Sequence, residues 1–331
     1  MPPVLRSATR KASNTAPHPA RKPRFSSTRI DSNTDQAASC LHQNEAVHII
    51  RPSRGPLPGL TLPETCLLRK KQERLRASRE ALSKDASVYG KHIINALNAT
   101  FIFAQAEAGT AVCIHNDGWI LTCAHCFGDD EQEWQGNRYR WVLDYRGLAV
   151  QIECHVWDER RDLALAKVVC VEWEAENESD IRDAGFGFAS VPIPSGPSAA
   201  FPAPDQTPIV CIGQPGSDDL ESSTPRKTDY DLVEISGGRM RGLIPGADPQ
   251  NNSAIGTLKH DAWTYWGHSG APLVCIQTGI LNGLHSSWDD STAMRHGVPL
   301  VAIQGFLEAH FPAALRDEGL AFGGAGGSHD S

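Results

Sequence analysis

The sequence predicts an all-β fold over residues 98–306. Short apolar runs alternate with turn signals through most of this stretch, which is typical of strands joined by tight connections. The clearest hairpin signal is Asn116-Asp-Gly118, which lies between two such runs. Residues 173–206 are instead rich in Pro, Ser, Gly and acidic residues, and they divide the expected strands into two groups.

The expected strands follow in chain order. The first group covers residues 100–114 (strand, turn and strand), 119–124, 141–144, 149–156 and 163–169. The second group covers residues 209–213, 231–235, 271–276, 281–286 and 300–303. Residues 304–312 are expected to form a short closing helix, and residues 313–331 a loose, Gly-rich tail.

The first hundred residues have a different charge from the remainder. They hold 17 Lys and Arg against 7 Asp and Glu, whereas the remainder holds 14 against 32. Residues 1–66 are basic and Pro-rich, and we expect them to be disordered because they lack the apolar surface that folding requires. Two uses of this arm stay open: a solvated tail, or a nuclear-targeting or nucleic-acid-contacting segment centred on Arg21-Lys22-Pro-Arg24.

Residues 67–97 read as a charged helical segment. Leu67, Leu68, Leu75 and Leu82 form a partial apolar stripe at helical spacing. Such a stripe favours docking on the body of this protein or on a partner. The repeat is too short to predict a coiled coil.

Composition and cysteine usage favour an intracellular protein, cytoplasmic or nuclear. No apolar run reaches the ~18 residues of a membrane span, and residues 1–30 contain no apolar signal-peptide core, so we expect no membrane partner. The nine cysteines are odd in number and show no regular framework, which favours reduced thiols. Cys123-Ala-His-Cys126 has no second Cys pair to complete a zinc site, so neither a metal nor a cofactor is expected.

Three segments carry the residue types of nucleophilic catalysis. His125 follows an apolar, strand-like run, Asp162 begins another, and Ser269 lies between Gly267 and Gly270 in a turn. A serine hydroxyl is a poor nucleophile unless an imidazole takes its proton and a carboxylate holds that imidazole in the right tautomer. The order His, Asp, Ser is one of several that build this arrangement.

Each of these residues lies in a longer pattern that resembles the trypsin family of serine peptidases. The segments are GTAVCIHNDGWILTCAHC around His125, HVWDERRDLALAKV around Asp162 and LKHDAWTYWGHSGAPLV around Ser269. The resemblance covers roughly residues 98–306 and is nearest the HtrA-like branch, although no PDZ-like segment follows. It implies a trypsin-like domain at residues 98–312, built as two six-stranded Greek-key β-barrels.

The resemblance also implies roles for individual residues. His125, Asp162 and Ser269 match the catalytic positions, and the backbone N–H groups of Gly267 and Ser269 match the oxyanion hole. The substrate-binding candidates are Trp263, at the floor of the specificity pocket, together with His285, Ser286, Ser287 and Trp288 on the strand that pairs with substrate. Ser286 is also a candidate for a hydrogen bond to Asp162.

Two positions depart from the family pattern. His268 stands where relatives carry Asp or Asn, and Ala271 stands where they carry a second Gly. A neutral His cannot receive a newly cut, charged N-terminus as the Asp of secreted trypsins does. His268 has two remaining interpretations, which are a hydrogen bond within its own loop and a pH-dependent effect on activity.

The sequence therefore predicts a serine endopeptidase that hydrolyses protein or peptide substrates through an acyl-enzyme intermediate. Two alternatives remain: a peptide-binding pseudoprotease, and a nucleic-acid-associated protein led by its basic arm.

Overall fold

Thirteen strands form the framework of the described part of the chain. A computed structural model describes residues 47–52, 55–105, 108–173, 187–194, 205–216, 230–289 and 291–311, all within the unit formed by residues 34–331. The strands are β1 (His48–Ile50), β2 (Thr100–Phe103), β3 (Thr110–His115), β4 (Trp119–Thr122), β5 (Tyr139–Asp144), β6 (Ala149–Asp158), β7 (Leu163–Glu172), β8 (Pro208–Gly213), β9 (Glu234–Leu243), β10 (Leu258–His260), β11 (Pro272–Cys275), β12 (Leu281–Trp288) and β13 (Arg295–Pro299).

Helices precede, interrupt and follow these strands. They are α1 (Leu62–Val88), α2 (Lys91–Ala99), a 3-10 turn (Ala124–Cys126), α3 (Glu131–Gly136) and α4 (Leu300–His310). None of the helices in the described ranges combines the length and the apolar composition needed to cross a membrane.

The strands close into two six-stranded antiparallel β-barrels, which confirms the predicted fold class. Strands β2 to β7 form the first barrel, which closes through the pairing of β6 with β7. Strands β8 to β13 form the second barrel. Counted from one to six within each barrel, the strands have the same cyclic order, 1-4-5-6-3-2.

Helix α1 begins at a capping box formed by Thr61 and Glu64, which places its start before the predicted residue 67. The Thr61 side chain accepts a hydrogen bond from the Glu64 N–H, and the Glu64 carboxylate accepts one from the Thr61 N–H at 2.7 Å. The helix packs on the first barrel through Leu68 and Leu75, which are both fully buried. Its Lys71 ammonium, also buried, donates to the carbonyls of Phe103 and Gln105 at 3.0 and 2.9 Å, at the end of strand β2.

Two expectations about the chain are corrected here. Disorder through residue 66 is wrong for its last part, because β1 pairs in parallel with β7 and α1 starts at Leu62. Residues 1–46 lie outside the described residues. A strand at 300–303 is also wrong, because strand β13 ends at Pro299 and α4 begins at Leu300. A short apolar run does not by itself distinguish a strand from a buried helical turn.

We predict that α1 is part of the cooperatively folded body. Leu75→Ala empties a fully buried position between helix and barrel, so the free energy of unfolding is expected to fall by about 2–5 kcal/mol. Leu62→Ala, at an exposed position of the same helix, is the matched control and should change it by less than about 0.5 kcal/mol. The measurement is urea denaturation of both variants; equal midpoints would show that the helix is not docked in solution.

Candidate active site

His125 lies on the 3-10 turn that follows strand β4. The Trp157 indole N–H donates to the Ala124 carbonyl at 2.9 Å and fixes this turn against strand β6. The His125 Nδ1 lies 2.8 and 3.0 Å from the two carboxylate oxygens of Asp162, and its backbone N–H donates to the same carboxylate at 3.2 Å. The His125 side chain keeps 32% of its surface exposed, so the imidazole is held on one side and open on the other.

Asp162 adopts a strained backbone conformation that aims its carboxylate at His125. Its φ of +53° lies in the left-handed region, which Asp tolerates better than most residues. The preceding residue fixes the loop, because the Arg161 guanidinium donates to Asp158 and to Gln250, each at 2.7 Å. Gln250 belongs to the second half of the chain, so the Asp162 loop is attached to residues of both barrels.

The His125–Asp162 pair sets the tautomer of the imidazole. A carboxylate facing Nδ1 favours a proton on that nitrogen, which leaves the Nε2 lone pair free to accept one. A pair of this geometry provides a base for an adjacent hydroxyl or thiol.

The turn that carries Ser269 requires glycine on both sides. Gly267 has φ of +98° and Gly270 has φ of +84°, a region that residues with a Cβ rarely adopt. A Cβ on Gly270 would lie 2.0 Å from the Thr110 carbonyl oxygen, and one on Gly267 would lie 2.6 Å from the Gln214 carbonyl oxygen. The turn is therefore packed directly against backbone on both sides.

Thr110, the first residue of strand β3 in the first barrel, holds this turn in place. Its N–H donates to the Ser269 carbonyl at 2.8 Å, and its hydroxyl donates to the Gly267 carbonyl at 3.2 Å. The same hydroxyl accepts from the Gln214 N–H at 3.0 Å. Thr110 was not predicted from the sequence, because a single Thr at the start of an apolar strand offers no signal of such a role.

Of the four backbone N–H groups from Gly267 to Gly270, two are bonded within the described residues and two are not. The N–H of His268 donates to the Tyr265 carbonyl at 3.1 Å, and that of Gly270 donates to the His285 carbonyl at 2.8 Å. The N–H groups of Gly267 and Ser269 have no hydrogen-bond partner among the described residues. Such a pair of unpaired donors beside a serine hydroxyl is suited to stabilise a developing oxyanion.

The Ser269 side chain lies beside strand β12. Its hydroxyl donates to the Ser286 carbonyl at 3.3 Å. The Ser286 hydroxyl lies 3.3 Å from that of Ser287. The expected hydrogen bond between Ser286 and Asp162 is not formed; the described contacts of the Asp162 carboxylate are with His125. The strand presents the Ser286 carbonyl to the turn, and the carboxylate of Asp162 is occupied by His125.

His268 is buried beneath the turn and takes the first of its two predicted roles. Its Nδ1 lies 3.2 Å from the Tyr265 nitrogen and 3.1 Å from the Tyr265 oxygen, within the same loop. Burial lowers the pKa of His268 to about 3, so the ring is neutral at neutral pH. A neutral ring in this position carries no charge that could receive an ammonium group.

The comparison with protein families agrees with this geometry. The family model described as "Trypsin-like peptidase domain" matches residues 109–284, which is more than half of the chain. The chain belongs to the trypsin-like peptidase family. No curated protein sequence matches it.

The solved structures that are similar to this chain include two proteases. The serine endoprotease from Yersinia pestis is 19% identical with a TM-score of 0.45, over 67% of this chain and 66% of that chain. This chain thus covers slightly less than two thirds of that protein. The protease Rv3671c, in an inactive form, is 15% identical with a TM-score of 0.44, and the match covers 67% of this chain and 93% of that chain. A mutant of Rv3671c from M. tuberculosis H37Rv, also in an inactive form, is 15% identical with a TM-score of 0.44, and the match covers 66% of this chain and 88% of that chain.

The remaining substrate-binding candidates of this trypsin-like peptidase surround the turn. Trp263 is half-buried; its ring stacks on Tyr265 and meets the His268 ring edge-on with centroids 5.6 Å apart. His285 and Ser286 are buried, whereas Trp288 is 56% exposed at the end of β12. The Ser287 hydroxyl accepts from the Gly256 N–H at 3.2 Å, which ties β12 to the loop before β10.

One group of potential metal ligands includes the His–Asp pair of this peptidase. Cys123, His125 and Asp162 each offer an atom within 4.8 Å of the others. Burial raises the pKa of the Cys123 thiol well above its ordinary value, and the Asp162 carboxylate raises it further. Metals bind the thiolate rather than the thiol, so this cluster is a poor metal site at neutral pH. Each of the eight described cysteines is a free thiol; Cys40 lies outside the described residues.

We predict that the neutral, buried His268 makes the free energy of unfolding fall in acid. The pKa of His268 is about 3 when folded and 6.5 by its ordinary value, so the unfolded chain binds the extra proton between these pH values. Its contribution is complete above about pH 6.5 and is lost as pH falls toward 3. Between pH 7.5 and 5.0 the parent should lose about 2 kcal/mol more stability than His268→Asn.

The measurement is urea denaturation at both pH values. His92→Asn removes an exposed histidine and is the matched control, which should keep the parent's pH dependence. If His268→Asn also keeps it, the ring is not held neutral in the folded state.

Proposed function

We propose that this trypsin-like peptidase is a serine endopeptidase in which Ser269 is the nucleophile, His125 the general base and Asp162 the residue that orients the base. The observation that carries the proposal is the contact of the Asp162 carboxylate with Nδ1 of His125 at 2.8 Å. A carboxylate in this position keeps the Nε2 lone pair directed away from it, toward the open side of the imidazole.

The neighbourhood of Ser269 supports its role. The Cys126 thiol, on the same 3-10 turn as His125, donates to the Ser269 carbonyl at 3.6 Å. The turn of His125 and the turn of Ser269 are thus adjacent. The Ser269 hydroxyl donates to the Ser286 carbonyl at 3.3 Å, a long bond, and the proposal requires the hydroxyl to leave it for Nε2 of His125 when substrate binds.

The reaction then follows from these positions. As the Ser269 oxygen attacks the peptide carbonyl carbon, its proton moves to Nε2 of His125, and the carbonyl oxygen becomes an oxyanion. The N–H groups of Gly267 and Ser269 stabilise that charge, each by about 3 kcal/mol. Collapse of the tetrahedral species breaks the C–N bond, and the His125 proton passes to the leaving amine. In the second half of the reaction, His125 takes a proton from water as the water oxygen attacks the acyl carbon. The bond to the Ser269 oxygen then breaks, and that oxygen takes the proton back from His125.

Protein or peptide chains are the substrates that this proposal implies. An extended peptide laid along strand β12 presents its carbonyl to the turn, and strand addition of this kind supplies backbone hydrogen bonds without regard to sequence. The intracellular location and the nucleic-acid-contacting arm remain proposals of the same kind. The basic patch of this arm, Arg21-Lys22-Pro-Arg24, lies outside the described residues.

A peptide-binding protein without hydrolysis is the second candidate. It is favoured by the hydrogen bond that directs the Ser269 hydroxyl to the Ser286 carbonyl. A hydroxyl that stayed there would leave the cleft able to bind peptide but not to cut it.

Labelling by a fluorophosphonate decides between the two candidates. The parent should react at Ser269, and Ser269→Ala should lose both labelling and about 10⁴-fold or more of its peptide hydrolysis. Asp162→Asn should lose about 10⁴-fold as well, because the imidazole would adopt the wrong tautomer. Ser253→Ala, at an exposed serine of the same barrel, is the matched control and should behave as the parent.

Intact mass and peptide mapping identify the labelled residue. An unlabelled parent with normal folding would favour the peptide-binding candidate. Hydrolysis by Ser269→Ala at the parent's rate would show that the nucleophile is another residue.

A further inference from the structure

Three histidine rings lie together inside the second barrel, next to the Ser269 turn. Nε2 of His260 is 3.0 Å from Nδ1 of His285, and the two rings meet edge-on with centroids 5.2 Å apart. The His268 ring lies on another side of His285, with centroids 6.3 Å apart. His260 and His268 have no exposed surface, whereas His285 keeps 5%.

The rings of this cluster are neutral. Burial lowers the pKa of His260 to about 3 and that of His285 well below its ordinary value, and each further imidazolium would repel its neighbours. A single proton therefore lies between Nε2 of His260 and Nδ1 of His285.

The unpaired atoms of the cluster indicate which ring donates that proton. Nδ1 of His260 is buried and has no hydrogen-bond partner among the described residues. A proton there would be an unpaired buried donor, which is rarer in proteins than an unpaired acceptor. With its proton on Nε2 instead, His260 donates to His285, and His285 carries its own proton on Nε2.

The donor that results has no hydrogen-bond partner in the described ranges of the chain. Nε2 of His285 forms no hydrogen bond with any described residue. The residue nevertheless lies at the site, because its N–H donates to the Ala271 carbonyl and its carbonyl accepts from the Gly270 N–H, both at 2.8 Å. The next residue, Ser286, accepts from the Ser269 hydroxyl.

The surroundings of this donor are aromatic and carry positive charge. Trp263 packs on the edge of His268, so an aromatic ring and not a carboxylate stands at the expected floor of the pocket. Arg295, on strand β13 beside β12, is among the charges that lower the pKa of His285. The charges that shift the pKa of His285 come from other histidines and Arg295, and no carboxylate of the described residues is among them. A lysine or arginine side chain would therefore find no anion paired to this donor in the described part of the chain, and an aliphatic one would leave the buried N–H unpaired.

We propose that His285 determines specificity by donating from Nε2 to a carboxylate or carboxamide oxygen on the substrate residue whose carbonyl is attacked, and that His260 positions it. Glu and Gln are the residues with this chemistry on a side chain long enough to enter a pocket. The inference rests on the proposed peptidase function, since it assigns the substrate side chain of that same site.

Binding of cleavage-product peptides tests the proposal without requiring catalysis. The full-length Ser269→Ala protein is titrated with four peptides of one sequence whose C-terminal residue is Glu, Gln, Leu or Lys. The better of the Glu and Gln peptides should bind at least about 10-fold more tightly than the Leu peptide, as expected for one hydrogen bond from a buried donor. The Lys peptide should bind most weakly. The difference between Glu and Gln separates carboxylate from carboxamide recognition.

Variants then assign the effect to the ring. In the same background, His285→Leu should abolish the tighter binding of the Glu and Gln peptides and leave the affinity for the Leu peptide unchanged. His260→Phe, which keeps an aromatic ring but has no Nε2, should reduce that advantage. His296→Leu, a buried histidine of the same barrel that bonds the Gly256 carbonyl at 2.7 Å, is the control and should keep the parent ranking.

Two results would overturn the inference. One is Leu or Lys peptide binding as tightly as both Glu and Gln in the Ser269→Ala protein, which needs no change at His285. The other is an unchanged ranking in His285→Leu. Fluorophosphonate labelling of the parent is read separately, so failure of the peptidase function and failure of this specificity are distinguishable.

Discussion

The site depends on hydrogen bonds that cross from one barrel to the other. Thr110 begins a strand of the first barrel, and it bonds the Ser269 and Gly267 carbonyls of the second through its N–H and its hydroxyl. This contact leaves no room for a Cβ at Gly270. Because His125 and Asp162 belong to the first barrel, the same contact fixes their distance from the serine. The geometry of the site therefore depends on how the two barrels pack against each other.

The second barrel supports the turn with neutral rings instead of charges. His268 fills the space below the turn, and its ring bonds with Tyr265 of its own loop. The turn is further held by the bonds of Gly270 to His285 and of Ala271 to His268, both at 2.8 Å. We infer that the uncleaved chain can form this turn without a newly cut N-terminus. The cost is a set of buried histidines that become destabilising in acid.

The sequence predicted the local chemistry better than the contacts that organise it. His125 and Asp162 were expected to meet, and their atoms lie 2.8 Å apart. The double barrel followed from a resemblance, since strands such as β10, with only three residues, are too short to be read from periodicity. The predicted start of helix α1, residue 67, is five residues later than the observed start at Leu62, because the Thr61 cap was not considered.

Long-range partners were the main omission. Thr110 and His260 lie within the segments quoted around His125 and Ser269, but their roles become visible only when strands distant in sequence are placed side by side. Ser286 shows the converse case, because its position on the right strand was correct but its hydroxyl turns to Ser287 instead of Asp162. A strand period fixes the face of a residue, but the hydrogen-bond partner depends on the neighbouring loops.

The central claim is that the uncleaved chain already holds a complete serine peptidase site. A crystal structure of the full-length, uncleaved protein with a peptide boronic acid tests it most directly. The account predicts a tetrahedral boron bonded to the Ser269 oxygen. One boronate oxygen should lie about 2.7–3.1 Å from the N–H groups of both Gly267 and Ser269, with the turn unchanged. A boronate bound to another residue, or a turn that forms only after cleavage of the chain, would contradict the account.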